Sequence, residues 1–173
     1  MQRNIARGAL LVGMSLVLFL VEIALPAPLP VPGAKVGLAN AVTIWTVYNC
    51  SCSEAFMILV CRIILGALLT GNPFSLAFSL AGGLSSLLLC LYLKRSISKL
   101  PMWQCSVVGG LVHNLAQLGV AIVITNSIAL IHYAPYLIIA GIACGAATGI
   151  ISQMLTARLA AIRNCRRKNG GKI

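Results

Sequence analysis

Residues 9–32 read ALLVGMSLVLFLVEIALPAPLPVP, and residues 33–49 continue GAKVGLANAVTIWTVYN. The first seventeen positions, 9–25, carry one charge, Glu22, and are otherwise almost wholly apolar. A membrane-spanning helix needs ~20 mostly apolar residues, with ~17 as the lower end. Pro26, Pro28, Pro30 and Pro32 then stop any helix, because proline lacks the N–H and clashes with the preceding turn. The run therefore predicts a helix over 9–25 that crosses a bilayer and ends in a stiff loop. Its exit, Leu25-Pro26-Ala27-Pro28, is a poor signal-peptidase site, so it reads as a retained span.

The rest of the chain repeats the pattern. Of 173 residues 60% are hydrophobic and 9% charged, with a mean hydropathy of +0.99. A soluble domain needs about 25% charged residues to cover its surface. Further apolar runs predict helices over 37–49, 54–71, 74–93, 104–126 and 134–157. The second is short: thirteen residues rise ~20 Å, less than the ~30 Å hydrocarbon layer. It reads as a packed segment inside the protein, where non-helical ends are tolerated.

Basic residues settle the topology. With an inside N-terminus, Arg3, Arg7, Lys94, Arg95, Lys99, Arg158, Arg163, Arg166, Arg167, Lys168 and Lys172 share one side, which is eleven of thirteen. Six crossings with both termini cytoplasmic satisfy the positive-inside rule, whereas five crossings split these clusters. The expected architecture is an all-α integral membrane protein: a six-helix transmembrane bundle over 1–157 and a basic cytoplasmic tail over 158–173. The net charge of +11 thus reports orientation in the cell membrane and contact with anionic lipid, not nucleic acid.

Composition also restricts chemistry. The chain has two acids, Glu22 and Glu54, and no Asp, so it cannot assemble a catalytic carboxylate dyad beside an Asp-rich magnesium site. Cys50, Cys52, Cys61, Cys90, Cys105, Cys144 and Cys165 lack zinc spacing and read as reduced, structural thiols. No catalytic residue, metal site or cofactor is expected.

Small residues mark close helix packing. Gly141, Gly145 and Gly149 recur at spacing four on helix 6, and Ser75, Ser79 and Gly83 form a stripe on helix 4. Ala6, Ala9 and Gly13 offer a similar face on helix 1 for a neighbouring helix or a partner protein.

Polar residues at membrane depth are the candidate site. Arg62 lies mid-helix, where a charge costs at least ~2.5 kcal/mol to insert. It reads either as a structural ion pair with Glu22 or as a ligand-binding group. His113 and Gln117 share one face of helix 5 with Asn114 turned ~100° away; interhelical hydrogen bonding and a substrate site both explain them. Lys35 and Asn40 flank the start of helix 2, where a cation and the helix dipole suit an anion. A snorkelling loop lysine is the alternative for Lys35. Together Lys35, Asn40, Arg62, His113, Asn114 and Gln117 describe a polar pocket open to the outside, suited to a small anionic or amphipathic ligand.

Four blocks carry a family resemblance: PGAKVGLAN (32–40), RIILGALLTG (62–71), SLAGGLSSL (79–87) and GGLVHNLAQLGVA (109–121). In order along residues 5–155, they resemble the Gx transporter family, also called heptaprenyl diphosphate synthase component I. That family is similar to the substrate-binding S components of energy-coupling factor (ECF) transporters. The resemblance implies a six-helix domain whose outer loops close over a vitamin-like ligand. It also implies an Ala-xxx-Ala face on helix 1 for a coupling subunit, which Ala9-xxx-Gly13 matches with a glycine in place of the second alanine.

Two functions follow. The leading expectation is an S-component-like subunit for small-molecule uptake, energised by a coupling subunit and ATPases, since the chain has no phosphate-binding loop of its own. The alternative is a non-catalytic membrane accessory subunit of heptaprenyl diphosphate, quinone or redox metabolism, partnered by a prenyl diphosphate synthase catalytic subunit. Prenyl chain elongation needs magnesium-bound diphosphate held by aspartates, so catalysis must reside elsewhere.

The topology is directly testable. A fluorescent reporter fused after residue 173 should light up in the cytoplasm, and alkaline phosphatase fused after residue 72 should be active outside; the reverse pattern would refute six crossings with inside ends.

Overall fold

A computed structural model describes the backbone of residues 2–24 and 37–170, with side chains over 5–24 and 37–161. Six α-helices and one 3₁₀ turn make up this fold, with no strand among the described residues. They are α1 (Gln2–Ala24), α2 (Asn40–Asn49), α3 (Cys52–Thr70), α4 (Pro73–Ser96), α5 (Met102–Thr125) and α6 (Ala134–Gly170), with the 3₁₀ turn at Ile128–Tyr133. All but α2 are long and apolar enough to cross a membrane. Lys35 and the proline-rich stretch 26–32 lie outside the described residues.

Local chemistry sets the boundaries. Ser51 and Glu54 form a capping box that starts α3: the Ser51 hydroxyl accepts from the Glu54 N–H, and the Glu54 carboxylate accepts from the Ser51 N–H at 2.9 Å. Gly71, at φ +61°, ends that helix in the left-handed region. Asn72 caps α4 by accepting from the Phe74 N–H at 2.9 Å, and Pro73 occupies the first helical turn where it costs no hydrogen bond. Asn126 closes α5 in the same left-handed conformation as Gly71.

Two helices extend far beyond the apolar runs that predict them. α1 begins at Gln2 rather than at residue 9, and α6 continues to Gly170 rather than stopping at 157. Hydropathy reports where the hydrocarbon ends, not where backbone hydrogen bonding ends. No glycine or proline interrupts residues 150–168, so the helix runs on past the apolar segment.

α2 is the hub. Its ten residues touch each of the other five helices, and Asn40, Val42, Thr43, Ile44, Thr46 and Val47 are buried. A ten-residue helix rises ~15 Å, half the hydrocarbon thickness. It is stable at that length because its ends meet protein instead of lipid. At its C-terminal end, Arg7 donates to the Asn49 carbonyl at 2.9 Å and Lys94 to the Val47 carbonyl at 2.6 Å. Two cations thus satisfy the carbonyls that helix geometry leaves open and offset the negative end of the dipole. Tyr48 donates to the Leu100 carbonyl at 2.9 Å, and Asn49 reaches Thr156 at 3.4 Å.

These contacts bring the start of α1, the end of α4, the start of α5 and the later part of α6 to one end of the bundle. The six helices, α2 included, therefore alternate in direction, so that α1 begins and α6 ends on the same side. Arg7, Lys94, Arg95, Lys99 and Arg158 all sit at or beyond that end.

α5 and α6 pack backbone to backbone. A Cβ added at Gly141 would lie 2.9 Å from the Gly110 carbonyl oxygen, and one at Gly145 would lie 2.5 Å from that of Ser106. The stripe of glycines on α6 is thus a close helix contact within the chain. Ile44, Val47, Leu59, Ile63 and Leu87 form the main apolar core around α2.

Gly145→Ala should destabilise the bundle by about 1–3 kcal/mol through overpacking against the α5 backbone. Gly8→Ala, where a Cβ meets nothing within 4 Å, serves as the control and should be neutral or slightly stabilising. Unfolding in detergent by steric trapping would show both; equal effects would contradict the packing.

Candidate functional site

α5 presents Ser106, Gly110, His113, Asn114 and Gln117 toward the bundle interior, one or two helical turns apart. All three members of the sequence-expected trio are buried, at 4–5% exposure. A face this polar in a membrane bundle must find partners within the protein. Asn114 donates to the Leu137 carbonyl on α6 at 3.0 Å, and Ser106 shares a hydrogen bond with Thr148 at 3.0 Å. The His113 ring occupies the space that a side chain at Gly82 would fill: a Cβ there would come within 2.7 Å of its Cε1.

Asn40, Ser86, Ser106, His113, Asn114 and Thr148 meet around a crevice between α2, α4, α5 and α6. Its volume, about 10 Å³, is room for one water molecule. Asn40, His113 and Asn114, three of the polar residues expected at a pocket, thus meet at this small crevice.

A charged layer adjoins it. Glu22 and Arg62 are both buried, and the Glu22 carboxylate lies within electrostatic range of Arg62 on α3 and of Cys144 on α6. Glu22 also accepts a hydrogen bond from the Gly37 N–H. Gly37 has φ +83°, a conformation that glycine adopts without strain. An acid thus sits beside the N-terminal approach to α2, opposite in sign to the cations at its far end. The Arg62 Nε and the Gln117 Oε1 are buried without a hydrogen-bond partner among the described residues.

The structure therefore places Asn40, His113 and Asn114 at one crevice, with Arg62 and Gln117 buried outside its lining. Lys35 lies outside the described residues. Ala9 and Gly13 line a separate apolar groove between α1 and α3, while Ala6 is exposed beside it. Ser106 and Thr148 are crevice residues that the sequence reading passed over. Ser106 lies one turn before Gly110 and two turns before His113, and Thr148 falls among the glycines of α6; both spacings carried the signal. No group of three His, Cys, Asp or Glu residues that could hold a metal occurs among the described residues.

A family model described as heptaprenyl diphosphate synthase component I matches residues 11–155. No curated protein and no solved structure matches the chain.

Removing one member of the charged layer should expose its cost. Arg62→Met, which leaves Glu22 buried without that cation, should destabilise the bundle by about 3–5 kcal/mol. Glu22→Gln combined with Arg62→Met should recover much of that loss. A double variant as unstable as the sum of the singles would refute coupling between the two.

Proposed function

The chain belongs to that family, and from this premise we propose that it is a non-catalytic membrane subunit serving a prenyl diphosphate synthase. The observation that carries the reading is the match over residues 11–155 in a chain that contains no Asp. Elongating a prenyl diphosphate requires magnesium ions bridging diphosphate to carboxylates. Glu22 is engaged with Gly37 and Glu54 with Ser51, at different helices and opposite ends of the bundle. The donor set does not fit that metal site, so the chemistry belongs to a partner catalytic subunit. The role left to this chain is to hold the partner, or the partner's amphipathic substrate, at the membrane.

A second reading, uptake of a small anionic or amphipathic molecule with a coupling subunit and ATPases, is favoured by one feature. The buried layer of Glu22, Arg62 and Gln117 beside the polar crevice is more polar than bundle stability requires, since buried ion pairs contribute little net stability. In that reading Lys35, Asn40, Arg62, His113, Asn114 and Gln117 form the ligand site, and the crevice is its closed state.

The experiment is a mild-detergent pull-down of the tagged protein from native membranes, followed by mass spectrometry. Recovery of a prenyl diphosphate synthase, whose activity rises when this chain is supplied in nanodiscs, is the expected outcome. Recovery of a coupling subunit with ATPases instead would overturn it in favour of uptake.

A further inference from the structure

A second cavity lies away from the polar crevice. It is a groove of about 700 Å³ between the first half of α1 and α3, and its lining is overwhelmingly apolar. Its openness is written in the sequence of α1: Gly8, Ala9 and Gly13 supply almost no side chain, and a Cβ at Gly8 or Gly13 would meet nothing within 4 Å. Met57, Cys61 and Leu65 wall the opposite side. Leu11 and Ile58, which are buried and belong to one apolar cluster, close the floor.

The mouth is chemically different from the trough. Arg7 lines it at the end of the bundle where the basic residues gather. The Nη2 of Arg7 contacts the Asn49 carbonyl at 2.9 Å and the Cys50 Sγ at 2.7 Å. A guanidinium carries five N–H donors, so these contacts leave donors for an anion on this exposed side chain. α1 and α3 both begin at this end, and helix N-termini favour negative charge. Glu54 also lines the mouth, but its carboxylate is tied back to the Ser51 N–H and hydroxyl, each at 2.9 Å.

We infer that this groove holds the hydrocarbon tail of a prenyl diphosphate, with the diphosphate at Arg7. The inference deepens the accessory-subunit reading and rests on it for the choice of ligand. The dimensions agree. From Arg7 to Leu16 along α1 is nine residues, or ~14 Å. At ~1.5 Å per bond, a zigzag chain of that reach has on the order of twelve backbone carbons, which is about three isoprene units. A diphosphate monoester brings more negative charge to the mouth than the phosphodiester of a membrane lipid. That difference matters at Arg7, even with Glu54 within its electrostatic range, because charge-assisted bonds from arginine to phosphate oxygens are the strong ones.

The test uses the full chain alone in nanodiscs of zwitterionic lipid and a photoreactive fifteen-carbon prenyl diphosphate. Label is expected on peptides from α1 and α3. It should be displaced by unlabelled prenyl diphosphate, but not by equal amounts of the prenyl alcohol or of phosphatidylglycerol. Gly13→Leu fills the trough where the structure has open space, so it should fold normally and reduce labelling about tenfold, equivalent to ~1.4 kcal/mol of lost affinity. Arg7→Gln should weaken labelling in the same direction, with Arg7→Lys partly restoring it. Label elsewhere, label unchanged in Gly13→Leu, or equal displacement by phosphatidylglycerol would overturn the inference. So would a membrane partner that crosslinks at Gly13 and excludes the probe, since the groove would then be a helix-docking face. Because no synthase is present, failure here is distinct from failure to recover one by pull-down.

Discussion

A ten-residue helix in the middle of a membrane bundle leaves polar groups open at both ends, and the fold is arranged around that constraint. Lys94 and Arg7 reach the C-terminal carbonyls of α2 from α4 and α1. At the other end Glu22, from α1, takes the Gly37 N–H just ahead of the helix. Charges of opposite sign thus sit at opposite ends of the α2 segment, each matched to the local dipole. α1 contributes to both ends, which explains why a lipid-facing helix with much exposed apolar surface is held in a fixed register against the centre.

The same arrangement separates two environments that a functional account has to keep apart. Around α2, α5 and α6 the polar side chains are buried beside a small crevice, with Ser106 bonded to Thr148 and Asn114 to the Leu137 carbonyl. Between α1 and α3 the surface is apolar, open and provided with a cation at one end. The first is a rigid centre in which glycine-to-backbone contacts on α5 and α6 leave little freedom. The second is a recess at the lipid boundary. An amphipathic ligand with a long tail suits the recess, whereas a small polar ligand would have to reopen the centre.

This division bears on the accessory role proposed for the chain in prenyl diphosphate chemistry. A growing isoprenoid tail is insoluble and its diphosphate is not; a membrane subunit that separates the two by a fixed distance presents the reacting end to water. Arg7 lines the mouth of the recess and also caps α2. On the proposed reading, ligand contact at the mouth and packing at the centre share Arg7.

Much of this was legible in the chain itself. The apolar runs, the prolines after residue 25 and the grouping of basic residues fixed the number of helices and their alternation, because hydrophobic length and charge sidedness are properties of composition along the sequence. The burial of His113, Asn114 and Gln117 followed from their depth, and the glycine face of α6 from its spacing. What spacing along one helix cannot contain is its partner. That Gly141 and Gly145 meet Gly110 and Ser106, that the Gly82 gap receives the His113 ring, and that Arg7 and Lys94 cap a helix more than forty residues away are all relations between helices. That Asn40, His113 and Asn114 meet at one small crevice is likewise a relation between helices. A sequence lists which residues must avoid lipid, and packing alone decides whether they surround a cavity or fill it.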